Sequence, residues 1–571
     1  MPRAAPDAPN GGTVGVHPSS EGRGARRRFD APSPPRTVAR ISIATPSATV
    51  RMATLEFMVF DEIAAGVVAA QADQRPRRGP ALVNAHLIGR DDVMLRGDVT
   101  LRDGRIRCRK RTSDPAALCL QVDAGPMGRL MLQTCLLPER EAPYLLALEL
   151  ARQRIKQFIA KSEEWQLFDL PPEHAAIKLW ESAREHFTAA ITDPDTMSAE
   201  RSARASLIAG IEASERLAMA HAEILLHRRF GARAASATTL GVGVWPGRFD
   251  AANQANQVLL AREADIIVVP LAWRDLEVAE GRYDWERTDR WMSWAHSQGK
   301  PIVAGPLLDF SPRATPPWAT VFANDFDTLR DLVYDHLAKV VERYRGVVGI
   351  WNLGAGINLN DHFTLTTDQM IALVRTASVL VRQMRKGART MIELTQPFGE
   401  HAAFNRDSLA PMAWLDRLVQ EGLQLDCIGV RVQFGRAADG LAARDVMQVS
   451  AMLDRLLPFE TPVMITGLGV PAETVDPRGG HWHAPWSPKV QADWIGQIVP
   501  VALSKPFVEA IFWGDLADHP GMNVPRSGLL TEGGEPRPGL TRLVTLRRRL
   551  RKPLGQLKVA QRATVLGEEF S

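Results

Sequence analysis

The chain has 571 residues, 45% of them hydrophobic and 23% charged, with a net charge of +4. It is too long for one ordinary domain and apolar enough to bury large cores. Residues 1–51 hold eight Arg against Asp7, Glu21 and Asp30 and carry +5, so everything after them sums to −1. A near-neutral body gives no compositional case for a nucleic-acid or membrane partner.

Residues 1–51 are rich in Pro, Gly, Ser and Arg and show no apolar period. They are expected to be a disordered tail, because nothing in them offsets the entropy of ordering. Met52 opens a more ordinary protein start, and no apolar signal-peptide core precedes it, so the default expectation is a cytoplasmic protein. Residues 52–140 read as short strands bounded by turn signals such as Arg102-Asp-Gly-Arg, which fits a small β-sandwich. A carbohydrate-binding module and a plain packing module are both compatible with it. The stretch holds three of the four cysteines, Cys108, Cys119 and Cys135. No cysteine pair has metal-site spacing, so free thiols are expected, with no metal centre and no cofactor.

Residues 141–232 turn helical. The spacing predicts helices over Ala142–Lys161, from Pro171-Pro172 onward, and over Ser198–Arg228 with Ser198 as N-cap. Glu223 and His227 share one face of the last, a pairing read as an ordinary surface or interhelix contact. From residue 238 to 552, short apolar strands alternate with amphipathic helices. Strands are predicted near Leu240–Val244, Asp265–Val269, Pro301–Ala304, Val347–Trp351, Arg389–Glu393, Cys427–Val432, Pro462–Thr466 and Val508–Trp513. Eight strands with intervening helices suit a (β/α)₈ barrel. Residues 553–571 form a short tail. The fold class is therefore multidomain: a C-terminal TIM barrel preceded by a small β-sandwich and a helical segment.

Several motifs in this last region carry a resemblance. Trp273-Arg-Asp-Leu-Glu-Val-Ala-Glu-Gly-Arg-Tyr-Asp-Trp is followed by Asp289 and Gly299. Gly349-Ile-Trp-Asn-Leu-Gly, Asp426-Cys-Ile-Gly-Val-Arg-Val-Gln433 and Pro462-Val-Met-Ile-Thr-Gly come next, then Phe512-Trp-Gly-Asp-Leu-Ala-Asp and a run from Gly528. In order and spacing over about residues 240–550 the chain resembles glycoside hydrolase family 10, the endo-1,4-beta-xylanase family. The resemblance implies an oligo- or polysaccharide partner. It also implies a catalytic glutamate after the Asn of the fourth strand and another after the Thr of the seventh. Here those positions are Leu353 and Gly467. The Asn and Lys expected before the second-strand Trp have become Val268-Val-Pro-Leu-Ala272, and the His expected after Gln433 is Gly435. Asn352, Gln433 and Trp513 match the family pattern and are carried over as sugar contacts.

A retaining glycosidase needs two carboxyl groups about 5–5.5 Å apart, one protonated and one ionised. Leu353 can neither donate a proton nor attack, and Gly467 has no side chain. Standard family chemistry is thus expected to be lost, leaving a xylanase-like pseudoenzyme that binds β-1,4-glycan. An active hydrolase using relocated carboxylates is the first rival, with Asp309 and Glu393 as the candidate couple. Against it stands a reading in which such acids pair with Arg313, Arg431 and Arg436. The second rival is a non-catalytic structural or regulatory scaffold whose mouth is filled by Leu353, Phe310 and Phe434. Trp faces stack on sugar rings, which adds Trp273 and Trp486 to the candidate contacts, together with His481 of the His481-Trp-His-Ala-Pro-Trp486 loop; Trp245 is a further mouth candidate.

Overall fold

The computed structural model describes residues 53–60, 67–68, 81–167, 169–234, 240–244, 254–438 and 440–555. The expected tail 1–51, Met52, Trp245 and residues 556–571 lie outside the described residues.

Two sheets form the N-terminal sandwich. One has the order Tyr144–Leu145, Ala53–Met58, Arg105–Lys110, Gly97–Arg102. In Arg105–Lys110 the arginines 105, 107 and 109 are exposed while Ile106, Cys108 and Lys110 are buried, the period-two pattern of a strand with one wet face. Asp103 and Gly104 both take positive φ, 50° and 66°, as a two-residue hairpin turn requires. The second sheet has the order His481–Trp482, Gly128–Gln133, Ala117–Asp123, His86–Ile88, Met94–Leu95. Ala117–Asp123 is buried on both faces: Leu118 and Leu120 enter the large apolar core, while Ala117 and Cys119 pack with Ile88, Met131 and Ala442. This sheet therefore lies against the barrel region, and its edge strand His481–Trp482 is supplied by a barrel loop. All four cysteines are free.

Three helices follow: α1 (Leu146–Glu164), α2 (Ala175–Thr192) and α3 (Thr196–Phe230). The N-cap of α3 is Asp195, whose carboxylate accepts the Ser198 N–H at 2.9 Å, so Ser198 stands inside the first turn rather than at the cap. An ionised carboxylate accepts more strongly there than a hydroxyl and complements the helix dipole. Buried Glu215 of α3 accepts Trp482 Nε1–H and His483 Nε2–H, both at 2.7 Å, and the Val446 N–H at 3.2 Å. Buried Arg154 of α1 pairs with fully buried Asp445, the N-cap of the barrel helix Val446–Asp454. His227 meets the Gly555 carbonyl at 3.0 Å.

The remainder is a closed parallel barrel of β1 (Leu240–Gly243), β2 (Ile266–Val269), β3 (Ile302–Ala304), β4 (Ile350–Ala355), β5 (Arg389–Leu394), β6 (Cys427–Gln433), β7 (Val463–Gly469) and β8 (Val508–Trp513). Its interior is filled by Ile266, Val303, Met391, Cys427, Met464, Ala510 and Phe512, so the barrel is packed rather than hollow. A Cβ on Gly241 would fall 2.1 Å from the Phe512 ring, which is why β1 carries glycine there. Pairing slips by one residue in β4 at Leu353 and in β7 at Thr466. Bulges of this kind re-aim side chains and recur beside functional sites.

Candidate functional site at the barrel mouth

Alternation along the strands sends one residue in two into the barrel. At the C-terminal ends this places Asn352, Glu393, Arg431 and Gln433 together. Asn352 Nδ2–H donates to Glu393 Oε2 at 2.5 Å. Arg431 donates Nε–H to Glu393 Oε1 at 2.7 Å, and its Nη2 lies 2.6 Å from the same oxygen. Burial alone would lower the Arg431 guanidinium, but the carboxylates of Glu393, Asp309 and Asp515 more than offset it and raise it. The Asn352 Oδ1 and Thr466 Oγ1 atoms are buried without a hydrogen-bond partner.

Gly467 stands directly beside this cation. A Cβ there would lie 3.2 Å from Arg431 Cγ and 3.6 Å from its Nε, so the arginine stem runs across the glycine. Leu353 is fully buried in the apolar core. Glu393, one of the two substitute carboxylates anticipated from sequence, is locked in the ion pair with Arg431. Asp309, the other, accepts the Ser311 N–H at 2.9 Å and is half-buried. Asp515 meets His519 at 3.0 Å.

The loop after β8 lies over the mouth. Asn523 Nδ2–H donates to Gln433 Oε1 at 2.7 Å. Arg436 donates to the Asn523 carbonyl at 3.0 Å, and Arg313 to the carbonyls of Gly521 and Met522 at 3.2 and 3.1 Å. Thus Arg313 and Arg436 strap a loop, and only Arg431 takes up a carboxylate of the candidate couple. Trp513 is buried, with its Nε1–H on the Ser527 carbonyl at 3.0 Å.

Three expected sugar contacts are engaged elsewhere. His481 pairs with Arg129 in the sandwich. Trp486 is buried and donates to the Gly480 carbonyl at 2.8 Å. Trp273 is buried against His336 and Trp318 and donates to Glu277 Oε2 at 2.6 Å. These are corrections to the sequence reading: the indole N–H groups of Trp273 and Trp486 satisfy buried groups of this chain, which an open stacking platform would not require, and the backbone of His481 is an edge of the sandwich sheet. Phe434 packs on Phe398 and Trp494, and Phe310 on Phe363.

Glu277 also accepts Tyr283 O–H and Gly281 N–H, each at 2.7 Å. Burial raises its carboxyl, but bonds from His336, Trp273, Tyr283 and Gly281 pull it down to about 2. A depressed folded value adds stability that is present above the unfolded value of about 4.3 and lost as pH falls through 2. Glu277→Gln is expected to cost about 3 kcal/mol at pH 7 and much less near pH 2, read by thermal unfolding at both pH values. An equal loss at both would show that the charge is not what the site uses.

The model of glycosyl hydrolase family 10 matches residues 232–520, just over half of the chain. The chain belongs to glycosyl hydrolase family 10. Endo-1,4-beta-xylanase 3 of Hypocrea jecorina is 31% identical over 83 residues, 14% of this chain; the match spans only 23% of that relative's length. Among solved structures, xylanase B from Clostridium stercorarium F9 is 15% identical, covering 56% of this chain and 98% of that one with a TM-score of 0.43. Native xylanase 10B from Thermotoga maritima is 16% identical, with 57% and 98% covered and the same score.

Within the family 10 barrel, the slip in β4 falls on the motif position Leu353, and the slip in β7 falls on Thr466, one residue before the motif position Gly467. Neither position carries a carboxylate: Leu353 is buried in the apolar core and Gly467 has no side chain. Sequence reasoning named Arg431 only as an ion-pair partner. Its alternation with Gln433 on β6, facing a glycine on β7, is the signal that marks it as central. Asn523 carried no signal, because its role depends on how the β8 loop closes.

Proposed function

We propose that this family 10 barrel binds β-1,4-linked oligosaccharide without the two-carboxylate hydrolysis of a retaining glycosidase. The observation that carries the reading is Arg431: its side chain crosses Gly467 and its guanidinium takes Glu393. A nucleophile must be ionised and uncommitted, and its partner must hold a proton. Glu393 is committed to a cation, and Leu353 offers no proton. The buried, unpartnered Asn352 Oδ1 and Thr466 Oγ1 are acceptors that a sugar hydroxyl would satisfy. The family, and the activity in the name of the Hypocrea jecorina relative, point to a xylan-type β-1,4 backbone as ligand.

The reading is tested by titrating xylohexaose into the full chain in a calorimeter and assaying p-nitrophenyl xylobioside. Saturable heat with no turnover above buffer is the expected result. A second reading, hydrolysis through Asp309 and Glu393, draws on the convergence of both carboxylates around Arg431. It predicts turnover that falls at least about tenfold, 1.4 kcal/mol in the barrier, in Asp309→Asn and in Glu393→Gln. No heat and no turnover would leave a scaffold.

A further inference from the structure

The three residues carried over as sugar contacts are covered. Asn352 is 4% exposed, Gln433 5% and Trp513 1%. An oligosaccharide reaches none of them unless something over the mouth moves, and the loop after β8 touches two of the three. Asn523 Nδ2–H donates to Gln433 Oε1 at 2.7 Å, as a sugar hydroxyl would. The Trp513 Nε1–H ends on the carbonyl of Ser527, at the far end of the same loop.

The middle of this loop is held through its backbone carbonyls. Arg313, after β3, donates to Gly521 and Met522 at 3.2 and 3.1 Å, and Arg436, after β6, donates to Asn523 at 3.0 Å. Among the described residues both arginines bond only carbonyl oxygens, without the counter-charge that Glu393 gives Arg431. Burial and then the charge of Arg436 lower the Arg313 guanidinium, and Asp309 offsets part of that. The two cations thus hold the loop against their own repulsion. The ion pairs of the loop lie at its ends: His519 with Asp515 at 3.0 Å, and Arg526 with Glu473 and Asp518 at 3.8 Å each. Between the ends, Met522 and Val524 are buried, but neither belongs to the continuous apolar core. Gly521 and Arg526 both take left-handed backbone, with φ of 88° and 61°. For arginine that conformation is enforced by its surroundings, and an open loop releases it.

We propose that residues 520–525 are a lid shut over the sugar contacts, with the Asn523 amide standing in for a ligand hydroxyl on Gln433, and that β-1,4-linked oligosaccharide enters when the lid lifts, a role that rests on this mouth taking the ligand proposed above. A binding-competent state that is only partly populated weakens the apparent affinity by its fraction. Loosening the lid therefore tightens binding.

In the full chain, Asn523→Ala and Arg313→Met should each bind xylohexaose about fivefold tighter than the parent by calorimetry, with unchanged circular dichroism. A residue that merely supported the fold would lose stability without gaining affinity. Lifting is read separately with Val524→Cys, whose thiol the closed lid buries. A maleimide should label it at least about fivefold faster in saturating xylohexaose, with the parent chain and its free cysteines as the blank. Unchanged or weaker affinity in either variant, or labelling that the sugar leaves alone or slows, would overturn the lid while the sugar reading stands. No heat from the parent or from either variant would overturn the sugar reading, and the lid as an oligosaccharide gate with it.

Discussion

Replacing Asp445 with asparagine is expected to cost about 3–5 kcal/mol, because it leaves the Arg154 guanidinium buried without its counter-charge. Asparagine keeps the helix cap; alanine removes that as well and should lose about 1 kcal/mol more. Asp445 is fully buried and caps the barrel helix Val446–Asp454, while Arg154 belongs to α1. The loss therefore falls on the seam between the N-terminal segment and the barrel, and in a folded unit of this size it should lower the melting temperature by roughly 4 °C. A double-mutant cycle with Arg154→Met decides whether the pair is responsible. Coupling of more than about 1 kcal/mol is expected, and additive losses would assign the damage to packing instead. Glu215, holding Trp482, His483 and Val446, supports the same seam from α3. The sandwich, helices and barrel thus share buried polar contacts rather than a linker.

Leu353→Glu, which writes the family's glutamate back after Asn352, is expected to destabilise the protein by about 3–5 kcal/mol and to restore no turnover. In an open glycosidase groove a carboxyl at this position is served by solvent and substrate. Here Leu353 is fully buried in the apolar core, and the guanidinium of Arg431 is already spent on Glu393. Gly467→Glu meets a different obstacle, since its Cβ would arrive 3.2 Å from Arg431 Cγ; the arginine must swing away before a second carboxylate fits. Denaturant melts of Leu353→Glu, alone and with Gly467→Glu, together with an aryl xylobioside assay, check both statements. A stable double variant with measurable turnover would show that the groove is still open and that only the two acids had been lost.

Both predictions turn on the same difference between a motif and its surroundings. The strand positions were legible: Asn352 lies in β4, and Gln433 and Trp513 end β6 and β8. The aromatic candidates were less so. Trp273, Trp486 and His481 have the composition of a sugar platform, but composition does not say which way an indole N–H points. In the folded chain Trp273 completes the bonding of Glu277, Trp486 meets Gly480, and His481 extends the sandwich sheet.

The sequence by itself determined the eight strands of the barrel, each observed within a few residues of its expected place, because local alternation of apolar strand and amphipathic helix is written in adjacent residues. It also determined the absence of glutamate at positions 353 and 467, which is a matter of identity alone. Only the tertiary structure decided what stands in their stead. Arg431, Glu393 and Gly467 are 38 and 36 residues apart along the chain, and barrel closure and strand register bring them into contact. The same closure turned a loop of the seventh βα unit into an edge of the N-terminal sheet. Side-chain chemistry is local, but burial and pairing are set by elements far apart in sequence.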